Sequence, residues 1–414
     1  MSPKNLLKRT LRTSLILLIE LCILVALYLG TMTITCSYSN AAILQNIEDG
    51  LQIIAEEGDY PSYFYGEEGA KLDNFTDRII LQHADIVSDQ PLISALFIRG
   101  YSRYWHGYLI FVKLLLNFMG LFQIRKLIMI FLGTLFAASL YFICRRFGAG
   151  AAFAYLAMWL EYYSACVAGS FQFFWCYAIM YMSVILLIVF YHPEKQSDTK
   201  FFNGSFSTFV ILLFFAIGSF TNFVDFLTFP LVTLTLPLTF FLLTEIFYAK
   251  SSIPKILGRS ILLSIIWSLG YGLTWISKWL LSAVLLPGNI FYDVKKQIMF
   301  RMNGNEQYPI SRWGVITLNL SHPYFLKHTM PMVVLLLVAV AWNIRKKETR
   351  TKLLRLLPIV PILFYPYLWY EFMCNHSIIH NFFTYRAQMG TSFCLYFLII
   401  VLLIPGAVKN NDNT

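Results

Sequence analysis

Long apolar runs recur along most of the chain and are separated by short polar segments. About 20 apolar residues in a helix cross the ~30 Å hydrocarbon core of a bilayer, and the runs lack the alternation of a membrane β-barrel. The pattern therefore predicts an all-α, polytopic helical membrane protein that forms a single transmembrane domain, 1–414. The first run, at about 13–35, is too long for a cleaved signal peptide and is interpreted as an uncleaved signal anchor.

Basic clusters between the runs indicate the orientation of the chain, because Lys and Arg concentrate in cytoplasmic loops. A count of ten spans puts Arg145, Arg146 and the segment RKKETRTKLLR, 345–355, on one face. That face is then cytoplasmic, and both termini lie on it. The spans are expected at about 13–35, 126–144, 149–168, 171–191, 207–222, 226–248, 258–286, 328–344, 356–372 and 388–407.

Two long loops, 37–125 and 287–327, lie outside in this topology. The segment 40–58 repeats Ile43, Ile47, Leu51 and Ile54 at helical spacing, which predicts an amphipathic surface helix. The segment 107–122 is apolar but short, so it is either a span or an interfacial helix. We favour the interfacial helix, because a span there would move Arg145 and Arg146 outside.

Composition supports the membrane assignment and narrows the function. The 414 residues are 58% hydrophobic and 13% charged, against about 25% charged residues in soluble domains. The net charge of +10 lies mostly in short loops between apolar runs, which argues against a nucleic-acid partner and for contact with membrane lipids. None of the seven cysteines forms a CxxC, so neither a disulfide framework nor a structural zinc site is predicted.

The stretch LDNFTDRIILQHADI, 72–86, holds the strongest candidates for acid–base chemistry. Asp73 and Asp77 are four residues apart and share a helical face if the segment is a helix. Such a pair can act as a general base with its partner or hold a divalent cation. The alternative is a solvated acidic face on an outer loop. Arg78 follows directly and is a candidate for substrate binding.

Basic residues outside the membrane point to an anionic ligand. Arg103 and His106 lie in GYSRYWHGYLIF, where the alternative is an aromatic belt with Arg reaching lipid phosphates. Arg301 belongs to an outer loop that breaks the positive-inside pattern, and Lys278 lies in the span before it. Arg and Lys both bind phosphate. The alternative for the loop is a misplaced boundary.

The segment NHSIIHNFFTYR, 375–386, adds His376, His380 and Arg386. The two histidines share a helical face if the segment is a helix. The pair then binds a metal, lines a polar rim that hydrogen-bonds a substrate, or only fills the membrane interface. The acidic base of an HExxH site is missing. Asp225 and Glu161 are rim carboxylates at the outer ends of other spans.

The order of these parts resembles the start of the GT-C superfamily of membrane glycosyltransferases, which use polyprenyl-phosphate sugars. A signal anchor is followed by a long acidic outer loop, an interfacial helix, a span and RRFG at the cytoplasmic turn. WHGYL, 105–109, stands where many members have HPPL or KPPL. The phrases LDNFTD, YSRYWHGY and NHSIIHNFFTYR also resemble membrane proteins of Gram-positive bacteria that are associated with cell-wall polysaccharide.

This resemblance implies a multi-pass enzyme of the bacterial plasma membrane. Its catalytic carboxylate would be Asp73 or Asp77, and the extra amphipathic helix after the first span leaves that choice open. Arg103, Lys278, Arg301 and Arg386 would bind the phosphate of a polyprenyl-phosphate-linked sugar. The sugar would pass with inversion to a glycan or lipid acceptor, such as a wall polymer or a teichoic acid. The carboxylate pair leaves open whether a divalent cation is needed as a cofactor.

Two other functions fit the same residues. A transporter or flippase of an anionic lipid or polysaccharide also needs cations at its outer face, but it needs further charges along a path through the membrane. A non-catalytic subunit of a wall-synthesis complex needs no acid–base pair at all, and it would tolerate alanine at both Asp73 and Asp77.

Overall fold

The computed structural model describes residues 3–64, 66–194, 208–323, 329–343, 345–404 and 406–409. These residues form helices and connecting turns, and no β-strand occurs among them. The first half contains α1 (Pro3–Thr35), α2 (Ala41–Glu57), α3 (Asn74–Ala84), α4 (Pro91–Leu96), α5 (Tyr108–Leu116), α6 (Leu121–Phe147), α7 (Ala149–Glu161), α8 (Phe171–Phe190), α9 (Thr208–Val224) and α10 (Val232–Phe247).

The second half begins with a helix as long as α1. It contains α11 (Ile253–Leu285), α12 (Ile290–Asn303), α13 (Arg312–Leu320), α14 (Thr329–Asn343), α15 (Lys347–Leu356), α16 (Tyr365–Phe372), α17 (Cys374–Ile379), α18 (Asn381–Thr384) and α19 (Met389–Leu403). Short 3₁₀ turns cover Glu68–Ala70, Ser164–Gly169, Leu357–Phe364 and Tyr385–Gln388.

Six stretches of the described helices are long and apolar enough to cross a bilayer. They are Thr10–Thr35, Leu121–Phe147, Phe171–Phe190, Ile253–Leu285, Leu353–Phe372 and Asn381–Leu403. The all-α membrane class follows from them, whereas the count of ten is not confirmed. Helices α9 and α10, of 17 and 16 residues, are apolar but shorter than a full crossing.

The predicted span 149–168 is broken by a turn. Helix α7 stops after 13 residues at Glu161, and Tyr163 takes a left-handed φ of 48° before the 3₁₀ turn. The predicted span 226–248 likewise starts late, because residues 225–231 form a buried turn ahead of α10. Hydropathy cannot locate such breaks, since the turn residues are as apolar as the helices they separate.

The two helices predicted in the first loop are both present. Helix α2 covers 41–57 and buries Ile43, Ile47 and Ile54 on one face. Helix α5 has nine residues, about 14 Å, so it cannot span the membrane. Lys113 on α5 is buried, and its ammonium donates to the Thr35 carbonyl at the end of α1, 2.9 Å away. It thereby satisfies a carbonyl that the helix end leaves open.

Helices α9 and α11 cross at two glycines. A Cβ on Gly218 would lie 2.1 Å from the Trp267 carbonyl oxygen, and one on Gly270 would lie 2.2 Å from that of Phe215. The backbones therefore touch directly, which is the close approach that small residues permit between membrane helices. This crossing fixes the turn after α9, where the candidate site lies.

Candidate functional site

The turn at 225–229, between α9 and α10, is the centre of the candidate site. Asp225 is buried, and its carboxylate accepts the Thr228 backbone N–H at 3.0 Å. Leu227 takes a φ of 67°, a region that a branched side chain enters only under strain. Strained residues of this kind concentrate at functional sites. In the same turn, Phe226 contacts Tyr108, and Phe229 lies beside Arg386.

Three side chains, Arg301, His376 and His380, form what we call the cationic cluster, whereas the predicted Arg386 contacts other residues. His376 Nε2 donates to the Leu227 carbonyl at 2.7 Å, so its Nδ1 accepts a hydrogen bond from Arg301 on α12. The ring of His380 lies 4.7 Å from that of His376. The two histidines therefore adjoin, as their spacing predicted.

Both histidines are held neutral by their surroundings. Burial, with a smaller contribution from Arg301, lowers the pKa of His380 to about 4. Burial also holds the pKa of His376 well below its usual range, again with Arg301 contributing. No carboxylate lies within ion-pair distance of Arg301 in the described ranges.

Arg386 is wholly buried and also lacks an acidic partner among the described residues. Its guanidinium donates to the Gly69 carbonyl at 2.9 Å. It lies over the rings of Phe173, Phe229 and Tyr385, at 5.0, 5.9 and 4.8 Å. Cation–π contacts offset part of the desolvation cost of the charge, but the site keeps an excess of positive potential.

Asp77 belongs to α3 and places its carboxylate at the start of α8, the helix that carries Phe173. Its carboxylate accepts the backbone N–H groups of Phe171 at 3.0 Å and Gln172 at 3.2 Å, and the Ser170 hydroxyl at 3.1 Å. It therefore caps α8 from a distant part of the chain. Burial raises the pKa of Asp77 to about 7, and Arg125 opposes that rise.

Asp73 does not share a helical face with Asp77, because it is the N-cap of α3. Its carboxylate accepts the Thr76 N–H at 3.0 Å and the Thr76 hydroxyl at 2.9 Å. Burial raises the pKa of Asp73 to about 6, and Asp59 adds to the rise. The pKa of Tyr60 is raised by burial, with a contribution from Asp73, and the Tyr60 ring lies 5.3 Å from that of Phe382.

The predicted His106 lies in a second group of side chains, which includes Phe226 of the same turn. Tyr108 places its hydroxyl 2.8 Å from His106 Nδ1 and 3.3 Å from His83 Nδ1. The Phe226 ring lies 4.4 Å from that of Tyr108. His106 takes a left-handed φ of 58°, a second strained position. Burial lowers the pKa of His83 to about 4.

Three of the remaining predicted residues, Arg103, Arg78 and Lys278, have partners within the protein. Arg103 forms an ion pair with Asp293 on α12 at 2.5 Å, and Arg78 pairs with Asp59. Lys278 is buried and donates to the carbonyls of Ala95 and Leu96 at the end of α4, at 3.1 and 3.0 Å. Glu161 is buried at the end of α7. These four residues do not contribute an open charge to the cationic cluster.

Several contributors escaped the sequence analysis. Tyr108, Phe226, Leu227 and Gly69 are uncharged, so no charge pattern marks them. The Asp225–Thr228 spacing is the one local signal, since an Asp followed three residues later by Thr favours a capped turn. The described residues hold no group of three His, Cys, Asp or Glu side chains arranged for a metal ion.

Comparison of the chain with protein-family models, with curated proteins and with solved structures finds no match. The function therefore has to be argued from the residues and the geometry of the site.

Proposed function

We propose that this chain is a membrane glycosyltransferase that transfers a sugar from a polyprenyl-phosphate donor to an extracytoplasmic glycan or lipid acceptor. The observation that carries the proposal is Arg301 of the cationic cluster, which has no carboxylate partner among the described residues. Arg301 is partly buried, and a cation that loses water without gaining a carboxylate is destabilised. A phosphate-bearing substrate supplies the missing negative charge.

The donor phosphate is the natural ligand for this cluster. Arg301 binds a phosphate oxygen while its other N–H group keeps His376 oriented toward the turn. As the sugar–phosphate bond breaks, charge grows on the leaving phosphate, and fixed cations in a dry site stabilise it. A lipid-linked donor fits a site on the outer face, because nucleotide sugars are confined to the cytoplasm.

Asp73 is the proposed general base, and Asp77 holds the site in shape. Each Asp73 oxygen accepts one described hydrogen bond, which leaves further acceptor capacity for an acceptor hydroxyl. One Asp77 oxygen already accepts two bonds, and both serve the start of α8. With a pKa near 6, Asp73 is ionised at neutral pH and can take the proton of the attacking hydroxyl.

The test compares cells that lack the chain with cells that express variants of it. Loss of the chain should leave a wall or lipid-linked glycan without one sugar and should raise the level of the polyprenyl-phosphate sugar. Wild type should restore both. Asp73→Asn and Arg301→Ala should restore less than one hundredth of the wild-type modification, since a positioned base alone contributes about 10²–10⁴-fold.

Arg312→Ala is the matched control for the arginine variant. Arg312 belongs to the same outer loop, but it is exposed and pairs with Glu371, so its loss should leave the modification intact. Membrane levels of every variant are measured in parallel. The proposal is wrong if Asp73→Asn and Arg301→Ala both sustain wild-type modification. Accumulation of an unmodified glycan on the cytoplasmic side would instead identify a flippase.

A further inference from the structure

A groove of about 480 Å³ lies between α1 and α11, with a contribution from α9. It is remote from the candidate site. Lys255 on its wall and Lys278 near the site both belong to α11, about 35 Å apart along the helix axis. The groove therefore serves neither the cationic cluster nor the carboxylates of the first loop.

The lining of the groove changes from polar to apolar along its length. Near the start of both helices it presents three hydroxyls, from Thr10, Thr13 and Ser14, and the cationic side chains of Lys255 and Arg259. One to three turns further along α11 the wall consists of Leu262, Ile265, Ile266 and Leu269. Arg259 is buried there and is held in place by Glu245 of α10.

This gradient matches an amphiphile with a negatively charged head. Lysine and arginine attract a phosphate, and hydroxyls donate hydrogen bonds to its oxygens. Free phosphate would use the polar end alone and leave the apolar wall without a function. Lys8 and Arg12 are exposed on the same end of α1 and add to the positive potential. Basic pockets between membrane helices bind anionic headgroups by the same chemistry.

We propose that the α1–α11 groove is a binding site for an anionic phospholipid, with its phosphate at Thr10, Thr13 and Lys255 and one acyl chain along Leu262 to Leu269. The site is independent of the proposed transfer reaction. It lies at the end predicted to be cytoplasmic, so the lipid comes from the inner leaflet. Its effect is to join α1 to α11, two helices that carry opposite walls of the groove.

Gly258 offers a direct way to close the groove. It lies on the groove wall, and a Cβ there meets no atom within 4 Å. Gly258→Phe should therefore fill the space without a clash. Gly272→Phe is the matched control, since Gly272 lies on the same helix outside the groove lining and is equally open. Both changes replace a glycine within a helix, so neither weakens α11.

The experiment measures retained lipid by native mass spectrometry after reconstitution with phosphatidylglycerol or phosphatidylcholine of identical chains. Wild type and Gly272→Phe should retain phosphatidylglycerol preferentially, and Gly258→Phe should lose it. Lys255→Gln should bind phosphatidylglycerol about fivefold more weakly, since one Lys near the headgroup contributes about that factor. Equal retention of the two lipids by wild type would overturn the proposal. So would full retention of phosphatidylglycerol by Gly258→Phe.

Discussion

Individual buried charges in this protein complete the ends of helices. Lys113 donates to the last carbonyl of α1, Lys278 donates to the last two of α4, and Asp77 accepts the first N–H groups of α8. Each charge meets the backbone groups that a helix end leaves open, and its sign opposes the local end of the helix dipole. Burial of these charges is thus a consequence of how the helices are joined.

Asp77→Asn should destabilise the protein. The amide keeps one acceptor oxygen but turns an NH₂ group toward backbone N–H donors at the start of α8. We expect a loss of about 2 kcal/mol, in the range for hydrogen bonds to a charged group. Thermal unfolding of the purified protein in detergent measures it.

Asp85→Asn is the control for that measurement. Asp85 is half-exposed and pairs with Arg99 on the surface, where an ion pair contributes little. If Asp77→Asn unfolds at the wild-type temperature, the carboxylate does not hold α8.

His380 should make the protein sensitive to acid. Its pKa is about 4 in the folded protein and 6.5 when exposed. Between these values the unfolded chain binds a proton that the folded protein does not, so folding loses stability as pH falls from about 6.5 to 4. His380→Phe keeps the stacking on Phe383, whose ring lies 5.1 Å away, and does not titrate.

The variant should therefore lose less stability than wild type on acidification. Unfolding midpoints at pH 7, 6, 5 and 4 give the comparison, and the carboxylates common to both proteins cancel in the difference. Parallel curves for the two proteins would show that His380 is accessible to protons when folded.

At the level of residues, sequence reasoning located charges but not their partners. The pairing of His376 with His380 followed from their spacing, because four residues are about one helical turn. The ion pair of Arg103 with Asp293 joins positions 190 residues apart, and no local pattern contains that information. Leu227 was missed for another reason: its importance lies in its backbone angle and its carbonyl, which the residue type does not reveal.

Helix packing gives a prediction at the level of elements. Gly218→Ala and Gly270→Ala should each force α9 and α11 apart, because the new methyl group would lie within 2.2 Å of a carbonyl oxygen on the facing helix. We expect about 1–3 kcal/mol of destabilisation from each change, as for an overpacked core. The double variant should cost less than the sum, since one separation relieves both clashes.

Gly272→Ala on α11 is the control, as its Cβ meets nothing within 4 Å. It should be neutral or slightly stabilising, because alanine favours a helix over glycine. Unfolding midpoints of the wild type and the four variants give the comparison. Wild-type stability of Gly218→Ala would mean that the two helices do not touch at this point.

The elements themselves were predictable where periodicity or charge marked them. Helix α2 has an apolar stripe at helical spacing, and the basic pair Arg145–Arg146, in the last turn of α6, favoured α5 as an interfacial helix. The break at Tyr163 was not predictable, because that turn is buried and apolar, whereas Asp225 and Thr228 gave a turn signal that does not fix where α10 begins. These two breaks account for two of the four expected spans that are not among the six. The other two correspond to α9 and α14, of 17 and 15 described residues.

For the whole molecule, sidedness is the prediction that matters most. In the predicted topology, residues of the first loop face outside and both termini face the cytoplasm. A cysteine placed at Gln90, which is exposed, should react with a membrane-impermeant maleimide in intact cells. A cysteine at Lys409 should react only after the membrane is opened.

Native Cys22 and Cys144 are exposed, so both are replaced by Ser in the background protein. Reaction at Lys409 in intact cells would reverse the topology and place the cationic cluster in the cytosol, where nucleotide sugars and soluble phosphates are present. A lipid-linked donor would then lose its rationale.

The sequence predicted that distant segments meet at one outer pocket, but it did not predict which residues are in contact there. The structure brings Arg301, His376 and Leu227 into contact, while the Asp73 carboxylate makes its hydrogen bonds at the start of its own helix. It also assigns Arg103, Arg78 and Lys278 to internal partners. Which cations stay open depends on long-range packing, so the sequence could name the candidates but could not choose among them.

Helix α11 has 33 residues and is about 50 Å long, well beyond the ~30 Å hydrocarbon core. A helix of that length tilts or projects, and the amount depends on the thickness of the surrounding bilayer. Lys278, near one end of α11, donates hydrogen bonds to the end of α4, and Lys255, near the other end, borders the lipid groove. A change in membrane thickness therefore shifts both contacts together. The length of the lipid chains should therefore affect how α11 is positioned against α4.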